Sequence, residues 1–86
     1  MTEQEILERF SRVLQDLLQD DSIVLAMNTE RKDVRNWDSF NYVNFIAAVE
    51  IELNVKFKIA DIESFDTVGA IVVATVAMLR SPQGRF

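Results

Sequence analysis

Cysteine and histidine are both absent from this chain of 86 residues. Without a thiol there is no disulfide framework and no thiolate metal site, and nothing demands an oxidising compartment. Without an imidazole there is no Ser-His-Asp triad and no conventional zinc site. The carboxylates offer no substitute. Glu50 and Glu52 stand two apart and would diverge on a helix, and Asp20-Asp21 lacks the spacing of a calcium loop. No metal and no intrinsic catalysis are therefore expected. Two glycines and one proline are too few for a turn-rich β sandwich or barrel, and Gly69 and Gly84 cannot build a phosphate-cradling loop. Positive charge is the minority sign, nine basic residues against fourteen acidic for a net charge of -5. That opposes the phosphate contacts that drive nucleic-acid binding. Basic surfaces on other proteins are the plausible partners, met in transient docking. The longest uncharged run, 67–79, falls short of the roughly 20 residues of a membrane span. The acidic start Met1-Thr2-Glu3-Gln4-Glu5 has neither region of a signal peptide, so a cytoplasmic protein without a membrane span is expected.

Hydrophobic residues make up 49% of the chain against 27% charged, enough for one hydrophobic core and one domain, of all-α class. Thr2 with Glu5 forms a capping box for a first helix. Its apolar residues Ile6, Phe10, Val13, Leu14, Leu17 and Leu18 recur at helical spacing up to Asp20-Asp21. From Asp21 to Trp37 no period survives, which predicts a long loop anchored by Ile23, Val24, Leu25 and Val34, of a length that tends to be functional or mobile. A second helix starts at Asp38-Ser39, both good N-cap types, and stops at Asn54. It carries two stripes: Tyr42, Phe45, Ile46, Val49 and Leu53 suit a core, whereas Phe40, Val43, Ala47 and Ile51 lie nearly opposite, so part of that set should be exposed. Residues 55–59 alternate, but with no second strand to pair with they predict an extended connector. A short helical turn over 60–65 and a last helix capped by Asp66 or Thr67 follow, with Val68, Ile71, Val72, Thr75, Val76 and Leu79 inward. The uncharged Ala70, Val73, Ala74, Ala77 and Met78 suit a well-buried last helix, or a face that meets a partner, a dimer mate or a bound chain. Pro82 and Gly84 mark a flexible tail, 81–86, after a domain spanning 1–80.

Trp37-Asp38-Ser39-Phe40 sits between the long loop and the amphipathic helix. Taken alone, Asp-Ser before a helix is most often an N-cap. The wider order is a long helix, a long loop, Asp38-Ser39, a two-striped helix, the Val55-Lys56-Phe57-Lys58-Ile59 connector and a helix opening Asp66-Thr67-Val68-Gly69-Ala70-Ile71. It resembles the acyl carrier protein family over about residues 3–80. That family has Asp-Ser-Leu where this chain has Asp38, Ser39 and Phe40, the phenylalanine keeping an apolar neighbour for the serine.

The resemblance implies a small four-helix bundle of three long helices and one short one, with the long loop between helices 1 and 2. It implies a carrier without intrinsic catalysis, whose Ser39 receives 4′-phosphopantetheine from coenzyme A through a separate phosphopantetheinyl transferase, beside the flanking motif residue Asp38. The arm would hold acyl or related groups as thioesters and present them to acyl-loading, acyl-transferring or condensing enzymes. A phosphodiester at Ser39 would lie near the positive end of the helix dipole. Phe40, Val43 and Ala47, with Glu50, are the expected partner-binding residues; the alternative for the apolar three is packing under the loop. Family members often carry more carboxylates on this helix. Here Asn41 and Asn44 replace them and Ile51 interrupts the acidic run. That favours a dedicated lipid, polyketide or other specialised pathway over primary fatty acid biosynthesis. A free-standing monomer is expected. The rival reading is an unmodified helical interaction module in which Ser39 is only a helix N-cap; it predicts the same fold and the same face, and only the modification separates the two.

Overall fold

The computed structural model describes residues 1–80; the expected tail with Pro82 and Gly84 lies outside them. Four α-helices are present, α1 (Glu3–Leu18), α2 (Ser39–Leu53), α3 (Ile59–Ser64) and α4 (Val68–Arg80), with one 3-10 turn at Arg31–Asp33 in the loop between α1 and α2. Among the described residues there is no strand. The fold is an all-α bundle of three long helices and one short one.

Each helix begins where its side chains can satisfy unpaired backbone N–H groups. For α1 the capping box forms: Thr2 Oγ1 accepts from Glu5 N–H at 3.1 Å, and Glu5 Oε1 accepts from Thr2 N–H at 2.7 Å. That bond from the Thr2 backbone holds the Glu5 carboxyl below its usual range. Gln19, left-handed at φ 55°, ends the helix, just short of the expected Asp20-Asp21. Ile6, Phe10 and Leu14 are fully buried, and Leu7 widens the stripe. Val13, Leu17 and Leu18 flank it half-buried.

The core closes around aromatic contacts. Phe10 of α1 meets Phe45 of α2 edge-on at 5.5 Å, and Trp37 meets Phe45 the same way at 5.2 Å. Fully burying one such side chain contributes about 1.5–3 kcal/mol, so these residues dominate the packing of α1 on α2.

The loop 19–38 is pinned at both sides. Gln15 Nε2 donates to the Ile23 carbonyl at 2.7 Å, and Leu25 N–H donates to Ser11 Oγ at 3.0 Å, fixing it to α1. Val68 N–H donates to the Thr29 carbonyl at 2.8 Å and Gly69 N–H to the Met27 carbonyl at 2.7 Å, fixing it to α4. The first turn of α4 thus finds its acceptors in the loop. Only glycine fits there, because a Cβ on Gly69 would stand 2.5 Å from the Met27 carbonyl oxygen. Of the expected anchors, Ile23 and Leu25 are buried but Val24 is 81% exposed. Successive side chains of an extended segment point to opposite sides, so all three cannot face the core.

The connector from Val55 to Lys58 is extended, with Phe57 buried against Phe65 at 5.6 Å. Thr67 caps α4, its Oγ1 accepting from Ala70 N–H at 3.2 Å. Val68, Ile71, Val72 and Thr75 face inward as expected. Leu79 does not: one turn beyond Thr75 it is exposed, because the apolar face of α4 outruns the core that covers it. Val73 and Ala77 are exposed as well, so α4 is not buried all round.

Candidate functional site

The junction at Asp38 and Ser39 is built from the loop side by Trp37 and from the helix side by the start of α2. Trp37 is buried at the end of the loop, held by Phe45 and by Tyr42 at 6.3 Å. It anchors the chain immediately before the exposed pair Asp38 and Ser39. Asp38 is the N-cap of α2, its Oδ1 accepting from Asn41 N–H at 2.9 Å. Asn41 Nδ2 in turn donates to the Asn36 carbonyl at 2.9 Å, tying the first turn of the helix to the loop.

Ser39 is therefore the first helical residue and not the cap. Its hydroxyl is solvent-exposed and makes no hydrogen bond among the described residues. A hydroxyl presented this way beside the N-terminal N–H groups of a 15-residue helix is open to an attacking enzyme. An anion attached to it would meet the positive end of the helix.

Phe40 (74% exposed), Val43 (60%) and Ile51 (83%) form one uncovered face with the exposed Ala47, starting at the residue next to Ser39. The opposite face of α2 is the one in the core, with Phe45, Ile46, Val49 and Leu53 buried. Val43 and Ala47 are thus not packed beneath the loop.

Glu50, expected beside this face, has another task. Its Oε2 accepts from Phe57 N–H at 2.9 Å and its Oε1 lies 3.7 Å from Lys56 Nζ, leaving the side chain 15% exposed. Glu52 is paired too, 3.1 Å from Arg9 of α1.

Tyr42 joins α2 to α3, its hydroxyl donating to the Ile62 carbonyl at 2.7 Å. Burial pushes its phenol pKa up, and the Arg31 guanidinium lies 4.7 Å above its ring. Sequence reasoning assigned Trp37 and Tyr42 to motif and core without seeing that they brace the serine. The signal was the aromatic directly before Asp38 and a second one four residues after it. The space between Trp37, Tyr42, Phe65 and Val68 is only about 10 Å³. The larger hollow of about 480 Å³ is lined by polar loop residues such as Asp20, Ser22, Asp33 and Arg35, none of them from the α2 face.

The site is thus an exposed serine opening the second long helix of a small helical bundle. No family model matches the chain, and no curated protein does. Among solved structures it is similar to the solution structure of a holo acyl carrier protein from Geobacter metallireducens. The TM-score is 0.82 and the identity 25%, with 93% of this chain and 92% of that one covered. The fold is thus that of an acyl carrier protein, and this likeness, with the motif order, supports a carrier role in general.

Proposed function

We propose that Ser39 is the attachment point of a 4′-phosphopantetheine arm and that the chain carries acyl or related intermediates on it as thioesters. In the loading step the Ser39 Oγ attacks the phosphorus of coenzyme A that bears the pantetheine. A new Oγ–P bond forms, the pyrophosphate P–O bond breaks, and adenosine 3′,5′-bisphosphate leaves. The hydroxyl proton passes to a base of the phosphopantetheinyl transferase, since no neighbour of Ser39 accepts it. Asp38 acts here as the helix cap that leaves the serine free and presents it.

One observation carries this reading: Asp38 takes the capping position, so the exposed Ser39 hydroxyl at the start of α2 has no structural task. The solved neighbour is a holo carrier, which supports the same chemistry here. The exposed face of Phe40, Val43 and Ala47 is the docking surface for the transferase and for the acyl-loading, acyl-transferring or condensing enzymes that read the arm. Its apolar character fits a dedicated lipid, polyketide or similar pathway. The test is transfer of a fluorescent pantetheine from a coenzyme A analogue by a broad-specificity transferase. The wild-type chain should be labelled and Ser39→Ala should not; label persisting in Ser39→Ala would remove the site.

A further inference from the structure

The two carboxylates of α2 are spent inside the molecule. Glu50 accepts the Phe57 N–H that starts the link to α3 and sits beside Lys56. Glu52 points to the other side of the helix and pairs with Arg9 of α1. At 100° per residue Glu52 lies well away from Phe40, Val43, Ala47 and Ile51, whereas Glu50 lies at the edge of that face beside Val43, its carboxylate turned onto Phe57 N–H and Lys56. On its other side the nearest polar residue of α2 is Asn44, with Asn41 beyond it, both neutral.

A further large apolar side chain is exposed outside α2. Glu50 bonds to Phe57 and Tyr42 bonds to Ile62, which ties the connector and α3 to α2. Between those two points Ile59 is 74% exposed. The exposed charges on the segments that flank α2 in sequence and on α3 are of both signs, Arg35 and Lys58 against Asp38, Asp61 and Glu63. A basic patch on a partner would meet no block of opposite charge there. Large exposed side chains on one continuous face mark an interaction site, and complementary charge acts chiefly on encounter rate and its salt dependence.

We propose that this carrier is recognised by an enzyme groove that is apolar and not basic, filled by Phe40 and Val43 with Ala47 and Ile51 beyond them on the same face, and that docking is nearly independent of salt. This rests on the carrier reading above and specifies the partner of the same face. Screening shortens the reach of charge from about 10 Å at 0.1 M salt to about 3 Å at 1 M, so salt separates the two kinds of docking.

The experiment measures KM and kcat for loading of Ser39 by a broad-specificity phosphopantetheinyl transferase at 50 mM and 500 mM NaCl, with a carboxylate-rich carrier in parallel. The wild-type KM should change less than about twofold while that of the control rises severalfold. Val43→Ser and Phe40→Ser should each raise KM about tenfold with kcat retained, and their circular dichroism melts should match wild type. Glu52→Gln should leave KM unchanged. A salt response equal to the control's, or Val43→Ser loading with wild-type KM, would overturn the proposal. A chain that sediments as a dimer and becomes a monomer on Val43→Ser would overturn it too, by making a second copy the occupant. No loading at either salt, with the control loaded, would instead remove the carrier reading on which the proposal stands.

Discussion

Gly69→Ala tests the contact that locks the long loop onto α4. The added Cβ would stand 2.5 Å from the Met27 carbonyl oxygen and 3.2 Å from its carbon, both backbone atoms that no rotamer change can move. Relief requires the loop to retreat. That weakens the Gly69 N–H bond to Met27 at 2.7 Å and its neighbour from Val68 to Thr29 at 2.8 Å. Each such bond is worth about 0.5–1.5 kcal/mol net, and forced overpacking costs about 1–3 kcal/mol. In the other direction, alanine in a helix interior is favoured over glycine by about 1 kcal/mol, and by less in a first turn. The balance is a destabilisation of about 1–3 kcal/mol, or a melting temperature lower by about 4–8 °C for each kcal/mol in a domain of this size. Thermal and urea unfolding followed at 222 nm would measure it. A Gly69→Ala chain as stable as wild type or more so would refute the loop contact, because helix propensity alone would then decide the outcome.

Asp38→Ala should lose about 1 kcal/mol of stability as a cap variant, whereas Ser39→Ala should stay within about 0.5 kcal/mol of wild type; equal losses in urea titrations would mean that the serine caps α2 after all. Tyr42→Phe removes the bond to the Ile62 carbonyl and should cost about 0.5–1.5 kcal/mol, with faster amide exchange in α3 than elsewhere. Burial raises the Tyr42 pKa above its ordinary 10.0, so the folded state holds the phenol proton more tightly and stability should fall as pH rises past 10; in Tyr42→Phe that decline should be shallower, and an unchanged decline would count against burial of the phenol. The Glu5 carboxyl has the opposite sign. Its folded pKa lies below the ordinary 4.5, so its contribution is present above 4.5 and lost as pH falls through the folded value. Glu5→Gln should flatten that part of the acid limb, and an unaltered limb in acid titration would speak against the capping box.

The helices were legible in the sequence because their ends are marked by local chemistry. Thr2 with Glu5, Asp38, Asn54 and Thr67 each act at the terminus where their residue types are favoured. The two stripes of α2 were equally readable, since a 100° period cannot turn Phe45 and Val43 to the same side. What escaped depends on distant partners. Ile23, Val24 and Leu25 look alike as a run, and only the docking of the loop on Ser11 and Gln15 decides that Val24 faces out. Leu79 continues the inward register of α4 but lies past the end of its cover. Glu50 reads as a surface carboxylate until the turn after α2 brings the Phe57 N–H to it. Gly69 reads as part of a helix-opening pattern, while the reason for a glycine there is the Met27 carbonyl, more than forty residues away. At the site, the Asp-Ser pair was visible as a motif. The division of labour between a capping Asp38 and an uncommitted Ser39 depends on the backbone geometry at the start of α2, which either residue type could satisfy.

The most direct test of the carrier function is the intact mass of the chain after incubation with coenzyme A and a broad-specificity phosphopantetheinyl transferase, followed by peptide mapping across Trp37 to Phe40. A gain of one phosphopantetheine unit per chain, located on Ser39, is the predicted result. An unchanged mass, with the helical fold verified in the same sample and a known carrier fully modified alongside, would contradict it.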